Sequence, residues 1–238
     1  MKPYDTDQTK KEEIREMFDH IAPKYDLLNH TLSWNIDRLW RRRVMREVRR
    51  SRPRRILDVA TGTGDLAIAM ARRIRGVQVL GIDLAEQMLE VARRKIARHG
   101  LEDRIVLDRG DAERLDLGNG AVDVATVAFG VRNFEHLEAG LCELARVVRP
   151  GGKVVILEFS RPRNALVRKL YEWYSGRILP RIGGMVSHDR RAYEYLPASV
   201  AEFPAPERFL EMLARAGFHN CRARSQSFGI AQIYIGER

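Results

Sequence analysis

The sequence predicts an α/β fold built on a mostly parallel sheet. Three observations carry the prediction. Short apolar runs alternate with stretches of helical spacing from residue 51 to residue 160. The first run ends in a glycine-rich turn, Thr61-Gly62-Thr63-Gly64. The chain closes with two strand-like runs too near each other for a crossover helix between them. Alternation of this kind means βαβ units with right-handed crossovers. The closing pair implies an antiparallel hairpin at a sheet edge.

The elements follow in order. Residues 1–50 read as a helical arm, with Ile36, Trp40, Val44 and Val48 at i+4 spacing. RRILDVA (54–60) is the first strand, and Leu66, Ala69, Met70 and Ile74 mark the helix behind it. VQVLGID (77–83) is the second strand, followed by Met88, Leu89, Ala92 and Ile96 at helical spacing and a C-capping Gly100. RIVLDRGDA (104–112) and AVDVATVAF (121–129) supply the third and fourth strands. Phe134, Leu137, Leu141, Leu144 and Val148 step 3, 4, 3, 4 along an amphipathic helix. Arg149-Pro150-Gly151-Gly152 is expected to end that helix, and KVVILEF (153–159) is the fifth strand. An insert covers 161–205. A helix over Glu207–Ala216 and runs at 219–225 and 228–235 complete one domain of 1–238, whose cofactor-binding core spans 51–160.

Composition narrows the class. Apolar residues are 45% and charged residues 31%, enough to bury a core and too apolar for a disordered chain. No apolar run reaches the roughly 18–20 residues of a membrane-spanning helix. The N-terminus is polar and has no signal-peptide core, which points to a cytoplasmic protein. Cys142 and Cys221 read as free thiols. The six histidines are scattered without metal-ligand spacing, so no metal is expected. The net charge of +10 is lopsided. Residues 38–55 hold ten Arg and one acid, and 161–191 hold eight basic residues and two acids, leaving a mildly acidic body. Two basic segments suggest an anionic partner surface.

The turn between the first strand and helix carries the chemistry. Glycines at 62 and 64 let backbone approach a ligand, and the helix N-terminus behind them offers free N–H groups. Asp83, 19 residues beyond Gly64 at the end of the second strand, can accept both hydroxyls of a ribose. These two motifs fit either a nicotinamide dinucleotide or S-adenosylmethionine. Three acids favour the latter. Asp58 precedes the turn, where a cationic aminoacyl end needs an acid. Asp65 follows it, where negative charge suits a sulfonium better than a pyrophosphate. Asp111, in Gly110-Asp111-Ala112, can hold an adenine amino group.

At this point the sequence resembles a known family. DVATGTGDLA, GID, GDA and RPGGKVVILE are similar to segments of Rossmann-like S-adenosylmethionine methyltransferases. More closely, Tyr25-Asp26-x-x-Asn29-x-x-Leu32-Ser33-x-x-x-Asp37-x-x-Trp40 and the run from Arg146 to Ser160 resemble the two signatures of the ubiquinone/menaquinone biosynthesis C-methyltransferases. Phe129-Gly130-Val131-Arg132-Asn133 and the stretch from Gly183 through Ser187, His188 and Asp189 to Ser199 are also similar. The chain departs from the family at Asp37, where His is usual, and at Leu28, where Met is common. The resemblance implies a mostly parallel seven-stranded sheet with an antiparallel edge strand, a helical N-terminal arm and an insert after strand five. It implies cofactor contacts at Thr63, Asp83, Asp111 and Ala112, and Ala128 stands where some members carry a contacting Ser.

The family moves a methyl group to a carbon of a polyprenylated hydroquinone. The resemblance implies demethylmenaquinol as acceptor, with a 2-methoxy-6-polyprenyl-benzoquinol as the alternative. Arg132, just past strand four, is expected to stabilise the anion of the quinol, since its own pKa is too high for a base. Asn133 is expected to orient the ring, and Tyr25 to close the methyl pocket or touch the quinol. The basic segments 36–48 and 161–191, with Leu166, Leu170, Trp173, Tyr174, Leu179 and Ile182 among the charges, are expected to rest on an anionic membrane. Two rivals are disfavoured. An RNA methyltransferase would need an Asn-Pro-Pro-Tyr-like tetrad after strand four, so no nucleic-acid partner is expected. A nicotinamide dehydrogenase would need a hydride-transfer site such as Tyr-x-x-x-Lys.

Overall fold

A computed structural model describes residues 1–27, 33, 35–178 and 189–238. Asn29, Leu32 and the stretch from Gly183 to His188, with Leu28, Leu179, Arg181 and Ile182, lie outside the described residues. Seven strands form one sheet in the order β3-β2-β1-β4-β5-β7-β6. They are β1 Arg55–Val59, β2 Gln78–Asp83, β3 Ile105–Arg109, β4 Val122–Ala128, β5 Val148–Phe159, β6 His219–Gln226 and β7 Ala231–Glu237. The first five run parallel. β7 runs antiparallel to both β5 and β6, so the terminal hairpin closes one edge with its reversed strand second from the rim.

Side chains alternate between the sheet faces, as strand geometry requires. Ile56, Val124, Val155 and Ile233 join the core under α2 (Ile36–Arg50) and α3 (Asp65–Arg73). Leu57, Ala125, Ile156 and Tyr234 join the opposite core under α5 (Leu137–Val147) and α8 (Pro206–Arg215). The two cores account for the near-continuous apolar runs in β4 and β5. Several boundaries differ from the sequence reading; the last strand runs over Ala231–Glu237 rather than 228–235, because Ser227–Gly229 forms a 3-10 turn. β5 begins at Val148, because Arg149–Gly152 stays in the sheet as an irregular stretch in which the Gly151 N–H donates to the Arg238 carbonyl. The helix over 134–148 starts only at Leu137, because Val131–Asn133 forms a 3-10 turn first.

The arm is anchored rather than loose. Thr9 and Glu12 form a capping box that starts α1 (Lys10–Ile21). The fully buried Glu13 accepts hydrogen bonds from the N–H groups of Tyr4, Asp5 and Thr6 and from the Thr6 hydroxyl. Burial pushes this carboxyl up, but the four bonds outweigh it and hold the group below its ordinary range. Ile14, Met17 and Ile21 pack against Ala85 and Met88 at the start of α4 (Glu86–Arg98), and against Ala192 and Tyr195 of α7 (Arg190–Glu202). This third core lays α1 over the carboxyl ends of the strands. In an open α/β sheet that is where ligands bind, at the point where strand order reverses, here between β1 and β4.

The basic helix α2 spends its apolar stripe on the sheet. Trp40, Val44 and Val48 are buried, and Arg42, Arg46 and Arg49 face out. The insert helix α6 (Ala165–Trp173) behaves differently. None of its residues is fully buried, and Leu166, Leu170 and Trp173 are 78%, 63% and 50% exposed.

Candidate active site

The loop after β1 is held in an unusual shape. Ala60, Gly62 and Gly64 all have positive φ, at 52°, 56° and 78°. Gly64 must be small, since an added Cβ would lie 3.1 Å from the Ala92 Cβ on α4. Asp58 fixes the loop from below. Its carboxylate accepts from the Thr126 hydroxyl at 2.5 Å and the Thr61 hydroxyl at 2.7 Å. Complete burial raises its pKa to about 6 against the pull of those two hydroxyls. Asp83 fixes the loop from the side. One oxygen accepts from the Gly62 N–H at 2.8 Å and the other from the Ala85 N–H at 2.9 Å. Burial raises this carboxyl too, against its backbone hydrogen bonds.

A cleft opens over this loop. Among the sequence-predicted residues, Tyr25, Gly62, Asp83, Asp111, Ala112, Ala128 and Asn133 line it. Asp58, Thr63 and Gly64 do not. Asp58 lies beneath the loop. The Thr63 hydroxyl donates to Asp26 at 2.5 Å, and Lys95 bridges Asp26 and Asp65. Asp111 is clamped by the arm, because Lys11 donates to it at 2.6 Å and to Glu113 at 3.2 Å.

The donor set suits S-adenosylmethionine. A carboxylate has about four lone-pair sites. Asp83 therefore keeps room for two ribose hydroxyls beside its backbone bonds. A Cβ on Gly62 would meet open space rather than protein, so backbone alone borders the cleft there. Met88, Ile82, Leu84 and Phe134 form apolar walls on which an adenine can lie.

A second cavity adjoins the first, and Phe18, Tyr25 and Phe129 line both. Phe18 and Tyr25 meet edge to face at 6.0 Å. The second cavity is mostly apolar, with Met17, Ile21, Phe159 and Leu196 in its wall. Arg132 enters it from the turn after β4. Its Nη1 donates to Glu158 at 2.8 Å and to the Phe129 carbonyl, and its Nε donates to the Ser199 hydroxyl at 3.2 Å. Nη2 has no protein partner among the described residues. The pair is deeply buried, with side-chain exposures of 7% for Arg132 and 0% for Glu158. Burial alone would lower the guanidinium pKa, but Glu158 more than reverses this, so Arg132 stays charged. Asn133 accepts from the Tyr195 hydroxyl at 3.2 Å, and burial raises the Tyr195 pKa to about 12.

The structure adds residues that sequence reasoning did not place in the site. Glu158 sits inside a signature run but reads there as one more strand residue. Phe18, Phe159 and Tyr195 come from the arm, β5 and the insert, and no local spacing links them. Phe129 carries a φ of 61°, rare for an aromatic residue. The following Gly130 allows this, since a Cβ there would sit 2.4 Å from the Ala60 Cβ. Among the described residues, no group of three or more His, Cys, Asp or Glu could hold a metal ion.

Comparison with known proteins places the chain among relatives. The model of the ubiE/COQ5 methyltransferase family matches residues 6–238. A demethylmenaquinone methyltransferase of Bacteroides fragilis is 42% identical over 238 residues, covering 100% of this chain and 97% of that protein. A ubiquinone/menaquinone biosynthesis C-methyltransferase of Geobacter sulfurreducens is 45% identical over 230 residues, covering 96% and 90%. Among solved structures, a methyltransferase of Thermotoga maritima dependent on S-adenosylmethionine is similar, with a TM-score of 0.63 at 17% identity over 93% of this chain and 98% of that one. At that identity the likeness shows the fold alone.

Proposed function

Because the chain belongs to the ubiE/COQ5 methyltransferase family, we propose that it methylates a ring carbon of demethylmenaquinol, with the cofactor in the first cleft and the quinol ring in the second cavity. The observation that carries this reading is the shared wall of Phe18, Tyr25 and Phe129. Bound S-adenosylmethionine supplies an electrophilic methyl group. The chain's own residues do the rest. Asp83 and Asp111 hold the polar groups of the cofactor, and the shared aromatic wall shields the contact point from water. A ring carbon becomes nucleophilic when the hydroxyl beside it gives its proton to water; once the methyl has bonded, the ring hydrogen leaves as a proton and the aromatic ring is restored. Arg132 stabilises that oxyanion through Nη2, while Glu158, Ser199 and the Phe129 carbonyl keep the guanidinium still. Asn133, held by Tyr195, orients the ring. Positioning of this kind brings reacting atoms to about 3–3.5 Å.

Asp83→Asn separates cofactor binding from folding. The amide preserves shape and one acceptor but loses the charge. One charge-assisted bond is worth about 1.5–3 kcal/mol, so calorimetry should show cofactor affinity falling at least tenfold, while the amide NH2 facing the Gly62 or Ala85 N–H lowers the melting temperature by only a few degrees. Unchanged affinity would remove Asp83 from the cofactor site.

A polyprenylated acceptor resides in lipid, so the enzyme must reach a membrane surface. Among the described residues no helix is long and apolar enough to cross one. The contact falls to α6, whose exposed Leu166, Leu170 and Trp173 lie beside exposed Arg161, Arg168 and Lys169. Such a face suits the interface of an anionic leaflet. One assay tests the whole reading. Methyl transfer is measured to long-tailed demethylmenaquinol and to a 2-methoxy-6-polyprenyl-benzoquinol in anionic or neutral vesicles, and to a short-tailed soluble analogue. The naphthoquinol should react, and best in anionic vesicles. Replacing Leu166, Leu170 and Trp173 with Ser should lower turnover only on the long-tailed substrate. No transfer to any quinol would refute the function, and equal rates with both lipids would refute the membrane contact.

A further inference from the structure

Asp37 and Arg41 form a second polar pole in the acceptor cavity that the reaction as described does not use. Asp37 lies in the first turn of α2 and is almost wholly buried, with 5% side-chain exposure. One of its oxygens accepts from the Ser33 hydroxyl at 2.8 Å and the other from Arg41 Nη1. All three residues line the second cavity. The Nε of Arg41 is buried and has no hydrogen-bond partner among the described residues. Such an orphan donor is rare in native proteins; with no exposed surface it is out of a ligand's reach, so the terminal nitrogens are the part of Arg41 that can serve the cavity.

The two poles are carried by neighbouring rings. The Arg41 guanidinium lies over Phe129 and that of Arg132 over Phe159, each 5.6 Å from the ring centroid. The centroids of Phe129 and Phe159 are 4.5 Å apart. A hydroquinone also has two poles, its hydroxyls standing at opposite ends of the ring. Arg132 serves the hydroxyl next to the reacting carbon. The remote hydroxyl then needs partners of its own, and beside the hydroxyls of Tyr25, Ser33 and Tyr195 the charged groups left in this wall are the Asp37 carboxylate and the Arg41 guanidinium.

We propose that Asp37 and Arg41 bind the remote hydroxyl of the acceptor and thereby select the reduced quinol over the oxidised quinone. The assignment rests on the reading of the second cavity as the acceptor site. A hydroxyl is both donor and acceptor. Its hydrogen goes to Asp37 and its oxygen takes the Arg41 N–H. A quinone presents a carbonyl at the same place. The carbonyl accepts from Arg41 but turns lone pairs toward the Asp37 carboxylate, which rejects it. Sites built around a substrate hydroxyl discriminate strongly against analogues that lack it. The selection is useful because the quinone has no nucleophilic ring carbon, so an enzyme that held it would be blocked.

The test uses the wild-type enzyme, saturated with S-adenosylhomocysteine, and three short-tailed ligands. These are the naphthoquinol, the matching naphthol that lacks only the remote hydroxyl, and the naphthoquinone. The quinol should bind at least about tenfold more tightly than either of the others. Asp37→Asn should raise quinone affinity to within about threefold of the quinol, because the amide can turn its N–H to the carbonyl. Cofactor-product affinity should not change in that variant. Equal binding of quinol and naphthol by the wild type would overturn the proposal, as would an Asp37→Asn enzyme that keeps the wild-type preference. The ligand series on the wild type decides the matter even if the variant does not fold. An enzyme that binds no quinol at all would instead refute the acceptor reading itself.

Discussion

Replacing Arg132 with lysine is expected to lower turnover about ten- to a hundredfold while cofactor affinity stays within about twofold. The reason is the division of labour within one guanidinium. Nη1 and Nε are committed to Glu158, the Phe129 carbonyl and Ser199, which leaves Nη2 for the acceptor. Lysine keeps the charge but has a single nitrogen, and it loses the planar fork that serves several partners at once. It must choose between the buried carboxylate and the oxyanion. Losing one charge-assisted bond in the reaction costs about 1.5–3 kcal/mol, which is the expected rate factor. Quenched-flow turnover set beside calorimetric cofactor binding would check it. Parental turnover in the lysine variant would leave Arg132 a purely structural role.

Glu158→Ala should be the most destabilising single change near the site. Glu158 is fully buried and holds Arg132 through both the side chain and the backbone N–H. Removing it leaves a guanidinium in the interior without its counter-charge, a change that costs about 3–5 kcal/mol. In a domain of this size that corresponds to a fall of roughly 10 °C in melting temperature. Replacing both partners with apolar residues, Arg132→Met with Glu158→Leu, should recover most of the stability and none of the activity. If the double variant is as unstable as the single one, the cost comes from lost packing rather than from the stranded charge.

The sheet was legible because most strands carry a local apolar run bounded by turn residues, as 77–83 and 121–129 do, whereas the polar edge strand β6 shows itself only by its closeness to β7. The first cleft was legible for the same reason. Its acids lie at strand ends, and strand ends are visible in sequence. The positions that departed from expectation have physical causes. Val148–Gly152 looks like a breaker, yet the backbone of the last strand captures it. Asp58 has the right residue type at the right strand end, but Thr61 and Thr126 draw it beneath the loop. The acceptor cavity was the least legible feature. Its walls come from α1, α2, the turn after β4, the end of β5, and α7, and only tertiary packing brings Met17, Asp37, Phe159 and Leu196 together. The amphipathic spacing in α2 and α6 looked alike in sequence. The fold separates them by burying one apolar stripe and leaving the other in solvent.

The wall common to both cavities makes their occupancies a linked equilibrium. Phe18 and Tyr25 come from the helical arm, and each ligand must find them in place. Whichever molecule arrives first bears the entropic cost of fixing those rings, and the second meets a surface already set. Thermodynamic reciprocity then requires that donor and acceptor raise each other's affinity by the same factor. S-adenosylhomocysteine differs from the donor only by the methyl group, so it is expected to strengthen acceptor binding as well, which calorimetry of the acceptor with and without it would show. The coupling therefore runs through two aromatic side chains of the arm that face both cavities.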